Sequence, residues 1–144
     1  IMGETTFNDL TKIVTSADTL TFEKGMTQTI AGTMDLEGTD VSPLMLRSSE
    51  DDEDGDEADM WKIDSQGARV LAYLDVKDSD NVSATVIDAR ATGSIGFHQN
   101  NRRWLFADMP GYTWVGTTSA DWHTPSNWLI NNGTVPDAAW KQGF

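Results

Sequence analysis

Large apolar residues in this chain come in alternating pairs, each soon followed by turn formers, and that pattern restricts the fold more than any other feature. Leu20 and Phe22, Met34 and Leu36, Leu44 and Leu46, Trp61 and Ile63, and Leu74 and Val76 are each separated by one residue. Period-2 spacing over short runs sets one face of a strand against a core. Gly25, Gly32 and Gly38-Thr39-Asp40 interrupt the runs where the chain must turn. The strands so predicted are residues 19–23, 27–31, 33–37, 43–47, 61–64, 70–76, 83–87 and 103–106. Within 70–76, the residues Val70, Ala72, Leu74 and Val76 are expected to share one face. Helix is predicted only in a short piece over residues 6–13.

Tight antiparallel hairpins favour Asn-Gly or Asp-Gly between matched strands. Only Asn132-Gly133 and Asp54-Gly55 supply that chemistry, and neither lies between equal-length strands. Short strands carrying one or two large apolar residues suit the coils of a solenoid instead. The expected fold is therefore all-β, a parallel β-solenoid-like stack of short strands, with a β-sandwich as the alternative. The apolar pairs recur at spacings of about 10–17 residues, too irregular to define a repeat. Residues 1–108 are expected to form a β-rich body with an acidic loop at 49–60. Residues 109–144 are expected to form a Trp-rich segment that opens the next repeat or pairs with a neighbouring copy.

The 144 residues include 23 acidic and 10 basic side chains, for a formal net charge of -13. Such a chain repels phosphate backbones and anionic lipid, so neither nucleic acid nor polybasic membrane attachment is expected. No apolar run approaches the roughly 20 residues that cross a bilayer, so membrane insertion is not expected either. The opening residues lack the basic start and apolar middle of a signal peptide, and the chain is expected to be a mature or excised portion. Cysteine is absent, which removes disulfide scaffolds and thiolate metal sites.

Between Glu50 and Asp59 stand eight carboxylates in ten positions, and subtracting them leaves a net charge of -5. Hard cations take several carboxylate oxygens from a flexible loop, so Asp52, Asp54, Asp56 and Asp59 are the candidate ligands of a calcium ion. Aligned to an EF-hand, Glu50, Asp52, Asp54 and Gly55 fall near positions 1, 3, 5 and 6, but the required final Glu is replaced by Trp61. The other reading is a solvated surface loop kept extended by its own repulsion.

No catalytic constellation emerges. His98 and His123 lack a metal-like partner spacing, and neither a nucleophile elbow nor a phosphate-binding glycine loop is present. No catalytic residues and no cofactor are assigned beyond the calcium the acidic loop could take, and the chain is expected not to be an enzyme. Asn81-Val82-Ser83 and Asn132-Gly133-Thr134 match the glycosylation sequon. Five of the six tryptophans lie at or after Trp104. Their faces could stack on sugar rings, which makes carbohydrate a candidate ligand, or they could fill the core and cap its edges.

Residues 114–128 contain Trp114-Val115-Gly116, Ser119-Ala120-Asp121-Trp122 and Asn127-Trp128, and Val135-Pro136 follows. This segment resembles the W-x-G, S-x-x-W, N-W, V-P pattern of autotransporter-like and other giant bacterial surface proteins, over about residues 112–139. The body resembles repeats of the same large secreted proteins at Leu20-Thr21-Phe22, Thr29-Ile30-Ala31-Gly32-Thr33, Trp61-Lys62-Ile63 and Trp104-Leu105-Phe106; the long acidic loop departs from them. The resemblance implies a β-solenoid and an extracellular or cell-surface role that is structural or adhesive, with no catalytic residues to transfer.

In such proteins the Trp-rich segment precedes a solenoid, whereas here it comes last. The chain is thus expected to begin partway through one unit and to end on the opening of the next. The expected partners are identical copies in a head-to-tail homopolymer. Phe7, Leu10, Ile13, Trp114, Trp122, Trp128 and Trp140 are the candidate assembly residues. An adhesin-type module holding carbohydrate or calcium is the alternative.

Overall fold

The structure is a computed structural model that describes residues 1–50, 59–96 and 100–107, together with the backbone of two later strands. The chain divides into two compact units, Ile1–Asp108 and Met109–Phe144.

In the first unit, strands β1 (Thr5–Phe7), β2 (Leu10–Ile13) and β3 (Asp18–Phe22) make the first coil. Strands β4 (Thr27–Ile30), β5 (Met34–Glu37) and β6 (Leu44–Ser48) make the second, and β7 (Trp61–Ser65), β8 (Arg69–Ala72) and β9 (Leu74–Val76) the third. The later strands β10 (Ser79–Asn81), β11 (Ile87–Asp88) and β12 (Trp104–Leu105) are shorter. Every strand of the first two coils pairs, in parallel, with the strand three places later. The sheets are β1-β4-β7-β10, β2-β5-β8 and β3-β6-β9, with β11-β12 as a separate parallel pair. Three walls, each one strand wide per turn, define a β-solenoid-like stack. Facing antiparallel sheets, the mark of a sandwich, do not occur in this unit's described residues.

Coil length varies, which is why the sequence shows no fixed period. Thr5 lies on Gln28, Leu10 on Met34 and Asp18 on Leu44, offsets of 23, 24 and 26 residues. The next turn takes 35 residues from Thr27 to Lys62 and from Met34 to Arg69, because the acidic segment is inserted between β6 and β7. Later offsets shrink to 18 at Trp61 on Ser79 and 17 at Ile87 on Trp104.

Inward side chains stack along the axis in lines. Leu20 lies on Leu46 and Leu46 on Val76; Asp18 lies on Leu44 and Leu44 on Leu74; Gln28 lies on Ile63 and Ile63 on Asn81. Leu44, Leu46, Ile63, Leu74 and Val76 are fully buried, and burying each large aliphatic side chain contributes about 1.5–3 kcal/mol. Phe22 stacks on Trp61 with ring centroids 4.1 Å apart. Trp61 and Trp104 satisfy their indole N–H groups on the Lys77 carbonyl and the Ser79 hydroxyl, each at 3.0 Å.

The corners also stack. Thr33 N–H donates to Asp9 Oδ1 at 2.7 Å, tying the first corner to the second. Gly25, Asp78 and Asn100 all adopt the left-handed region, with φ of 72°, 53° and 52°, and Asn100 Nδ2 donates to Asp78 Oδ1 at 3.0 Å.

Three expectations from the sequence need correction. Residues 6–13 are not helical: they lie in β1, a corner at Asn8-Asp9, and β2. That corner shifts the alternation by one residue, so the inward positions Phe7, Leu10 and Val14 fall at a spacing that imitates a helix. Residues 70–76 are not one strand. Tyr73 turns at φ 49°, leaving Val70 exposed and bringing Leu71 inward instead. Of residues 83–87, only Ile87 enters a strand, while the polar Ser79–Asn81 forms β10. Its inward Ser79 and Asn81 are buried with their polar groups bonded, which period-2 hydrophobicity does not register.

Candidate functional site

The first coil carries the most unusual surface of the solenoid. Strands β1, β2 and β3 each stand at the end of their sheet order. An edge strand in a parallel sheet leaves half of its N–H and C=O groups pointing outward, a template for another strand. Among the described residues, only the end of β3 is covered: the Ile1 amine donates to the Thr21 carbonyl, and Glu23 N–H donates to the Ile1 carbonyl at 2.9 Å.

Inside this coil, Ile1, Phe7, Leu10, Val14 and Leu20 are half-buried against the core. Lys12 lies on Leu36 and Asp18 on Leu44, so two inward positions that are apolar in the second coil are charged in the first. Lys12 and Asp18 pair with each other across the mouth. The Lys12 ammonium, and next the Thr19 N–H, hold the Asp18 carboxyl below the usual carboxylate range. Thr6, Thr11, Thr19 and Thr21 line the outside of the same strands and are exposed.

Of the expected assembly residues, Phe7 and Leu10 face inward, whereas Ile13 is on the outer face and 57% exposed. The three therefore do not share a face. In the second unit, strands β13 (Tyr112–Trp114) and β14 (Trp128–Ile130) pair antiparallel with Trp114 opposite Trp128. Trp122 and Trp140 lie outside the described residues, as do Asp52, Asp54 and Asp56.

Asp59, the remaining expected metal ligand, is buried, with its carboxylate 3.4 Å from Lys24 Nζ. Lys24 also pairs with Glu50, and Ser48 donates its hydroxyl proton to the Asp59 carbonyl at 2.5 Å. Those contacts close the neck of the acidic insertion, and the Glu50 and Asp59 carboxylates raise the Lys24 pKa. Among the described residues, no group of three or more His, Cys, Asp or Glu side chains is placed to hold a metal ion. Asn81 of the first sequon is fully buried, and its Nδ2 donates to the Thr85 and Arg103 carbonyls at 2.9 and 3.0 Å. A glycan has no room there in the folded chain.

Comparisons with protein-family models, curated proteins and solved structures found no match.

The two ends of the stack differ in charge. Residues 1–50 hold 8 acidic and 3 basic side chains, a net of -5, while residues 61–107 hold 5 and 6, a net of +1. At the far end of the described stack, Arg102 bridges Asp80 in the line of the first sheet and Ile95 bridges Asp75 in the line of the third. Arg90, Arg102 and Arg103 are exposed. The whole-chain charge conceals this gradient; counting charge segment by segment would have found it.

Proposed function

We propose that this chain is a non-enzymatic structural subunit, or one repeat, of an extracellular bacterial filament or surface fibre that assembles head to tail through its ends. The observation that carries this reading is the edge of β1, β2 and the start of β3, which no other strand pairs among the described residues, above a half-buried apolar mouth. A second copy that continues the three sheets would satisfy those backbone groups and cover Phe7, Leu10 and Leu20. The two surfaces of such a contact are different, so the contact repeats without closing and the product is a filament. The inward Lys12–Asp18 pair fits this reading as a guard against indiscriminate strand pairing, the role inward charges play at sheet edges.

The test is electron microscopy, with sedimentation, of natively purified protein at neutral pH. Filaments with a regular axial repeat are expected. Five rungs of the first sheet, counting Arg102, would supply about 24 Å of that repeat at roughly 4.8 Å per rung. Single particles at every concentration would rule the fibre out. If those particles bound calcium, or bound glycans with affinity lost on Trp→Ala, they would favour the adhesin-type module.

A further inference from the structure

The outer face of the first sheet contains a line of residues in direct register. Thr27 lies on Lys62, Lys62 on Asp80, and Asp80 on Arg102. At the other end, Thr5 lies on Gln28, so Glu4 is the residue that precedes Thr27 in this line. Along the axis the line runs Glu4, Thr27, Lys62, Asp80, Arg102. Its last three members alternate in sign, ending on a cation, and its first member is an anion. Glu4 and Arg102 are both exposed.

We propose that the docking contact between copies places Glu4 of one copy on Arg102 of the next, continuing this alternating ladder across the junction. The inference rests on the fibre reading and names the surfaces that meet. Opposite charges directly across neighbouring strands are favourable and like charges are not. Stacking in this sense preserves the parallel direction of every strand. It also sets the first two coils, with a net of -5 over residues 1–50, against residues 61–107, with a net of +1. Stacking two first coils on each other would reverse the strand sense and bring two acidic halves together. Charge therefore selects one polarity, and assembly depends on ionic strength. From about 0.01 M to about 1 M salt the screening length falls from about 30 Å to about 3 Å, and the polymer fraction falls with it.

The experiment compares three full-length proteins: the native chain, Arg102→Glu and Glu4→Lys. Arg102 forms its described strand contacts through its backbone, donating to the Ser79 carbonyl at 2.8 Å and accepting from Asn81 N–H at 3.1 Å. Circular dichroism and urea titration check that both variants stay folded. Each variant alone would oppose like charges at the junction and polymerise at least about tenfold less than the native chain, a change worth about 1.4 kcal/mol. Mixed in equal amounts they restore opposite charges at every contact of an alternating copolymer, and filaments return. If native filaments form but the folded variants polymerise as the native chain does, or if mixing restores nothing, the Glu4–Arg102 junction is overturned and the fibre reading stands. If the native chain forms no filament at any salt concentration, both fall.

Discussion

Gly67 shows how closely successive turns approach. A Cβ there would lie 2.7 Å from the carbonyl carbon of Gly32 in the coil below and overlap the carbonyl oxygen. Gly25 is a different kind of glycine: its φ is 72°, yet a Cβ would meet nothing within 4 Å. Substituting alanine therefore separates packing from backbone strain. Gly25→Ala should cost about 1–2 kcal/mol, the left-handed penalty alone. Gly67→Ala must push two stacked corners apart and should cost about 3 kcal/mol. Urea denaturation of both variants checks the order, and equal losses would show that the corner yields easily. Gln28 is a second sensitive residue. It is fully buried and donates Nε2 to the Gly3 carbonyl at 2.8 Å, while its Oε1 has no partner among the described residues.

At the scale of strands, period-2 pairs located most of the coil-forming segments because each strand buries one face and exposes the other. Leu20/Phe22, Met34/Leu36, Leu44/Leu46 and Trp61/Ile63 all sit where alternation placed them, with one member or both fully buried. Alternation failed wherever a corner inserted an odd residue, as at Asn8-Asp9 and Tyr73, and wherever the interior turned polar, as at Ser79–Asn81. The open edge of the first coil was not legible, since pairing between distant strands leaves no local mark. The acidic segment was legible as an interruption between two strands, and the coil offset of 35 residues against 23 for the preceding turn measures its excess, while residues 51–58 themselves lie outside the described residues. Lys24 and Ser48 hold its two stems together. Replacing residues 51–58 with a short Gly-Ser link should therefore keep the solenoid, with a loss of no more than about 1 kcal/mol, since the closure entropy of a connection changes only slowly with its length. Far-UV circular dichroism and thermal unfolding would check this; loss of the β signal would mean the insertion is part of the folded stack.

For the whole molecule, acid lowers stability and promotes association. Asp88 is held down to about 2 by its bond to the Arg90 side chain, Asp18 is lowered chiefly by Lys12, and Asp9 chiefly by the Thr33 N–H. In the unfolded chain these groups titrate near the ordinary value of about 3.9. Their folded values are lower, so their stabilisation is fully present above about pH 4 and is lost as pH falls toward about 2. All three are exposed, so the loss is gradual and weakened by salt. Acid also neutralises carboxylates along a chain in which residues 50–59 supply most of the -13. That removes the repulsion that keeps filaments from associating laterally. Below about pH 4 the melting temperature should fall while turbidity rises. Asp9→Asn keeps a side-chain oxygen for Thr33 but cannot titrate, so its melting temperature should depend less steeply on pH. The chain with residues 51–58 replaced begins with less charge to lose, so its turbidity should rise at a higher pH. Flat turbidity from neutral to acid in the native chain would show that the acidic segment does not control association.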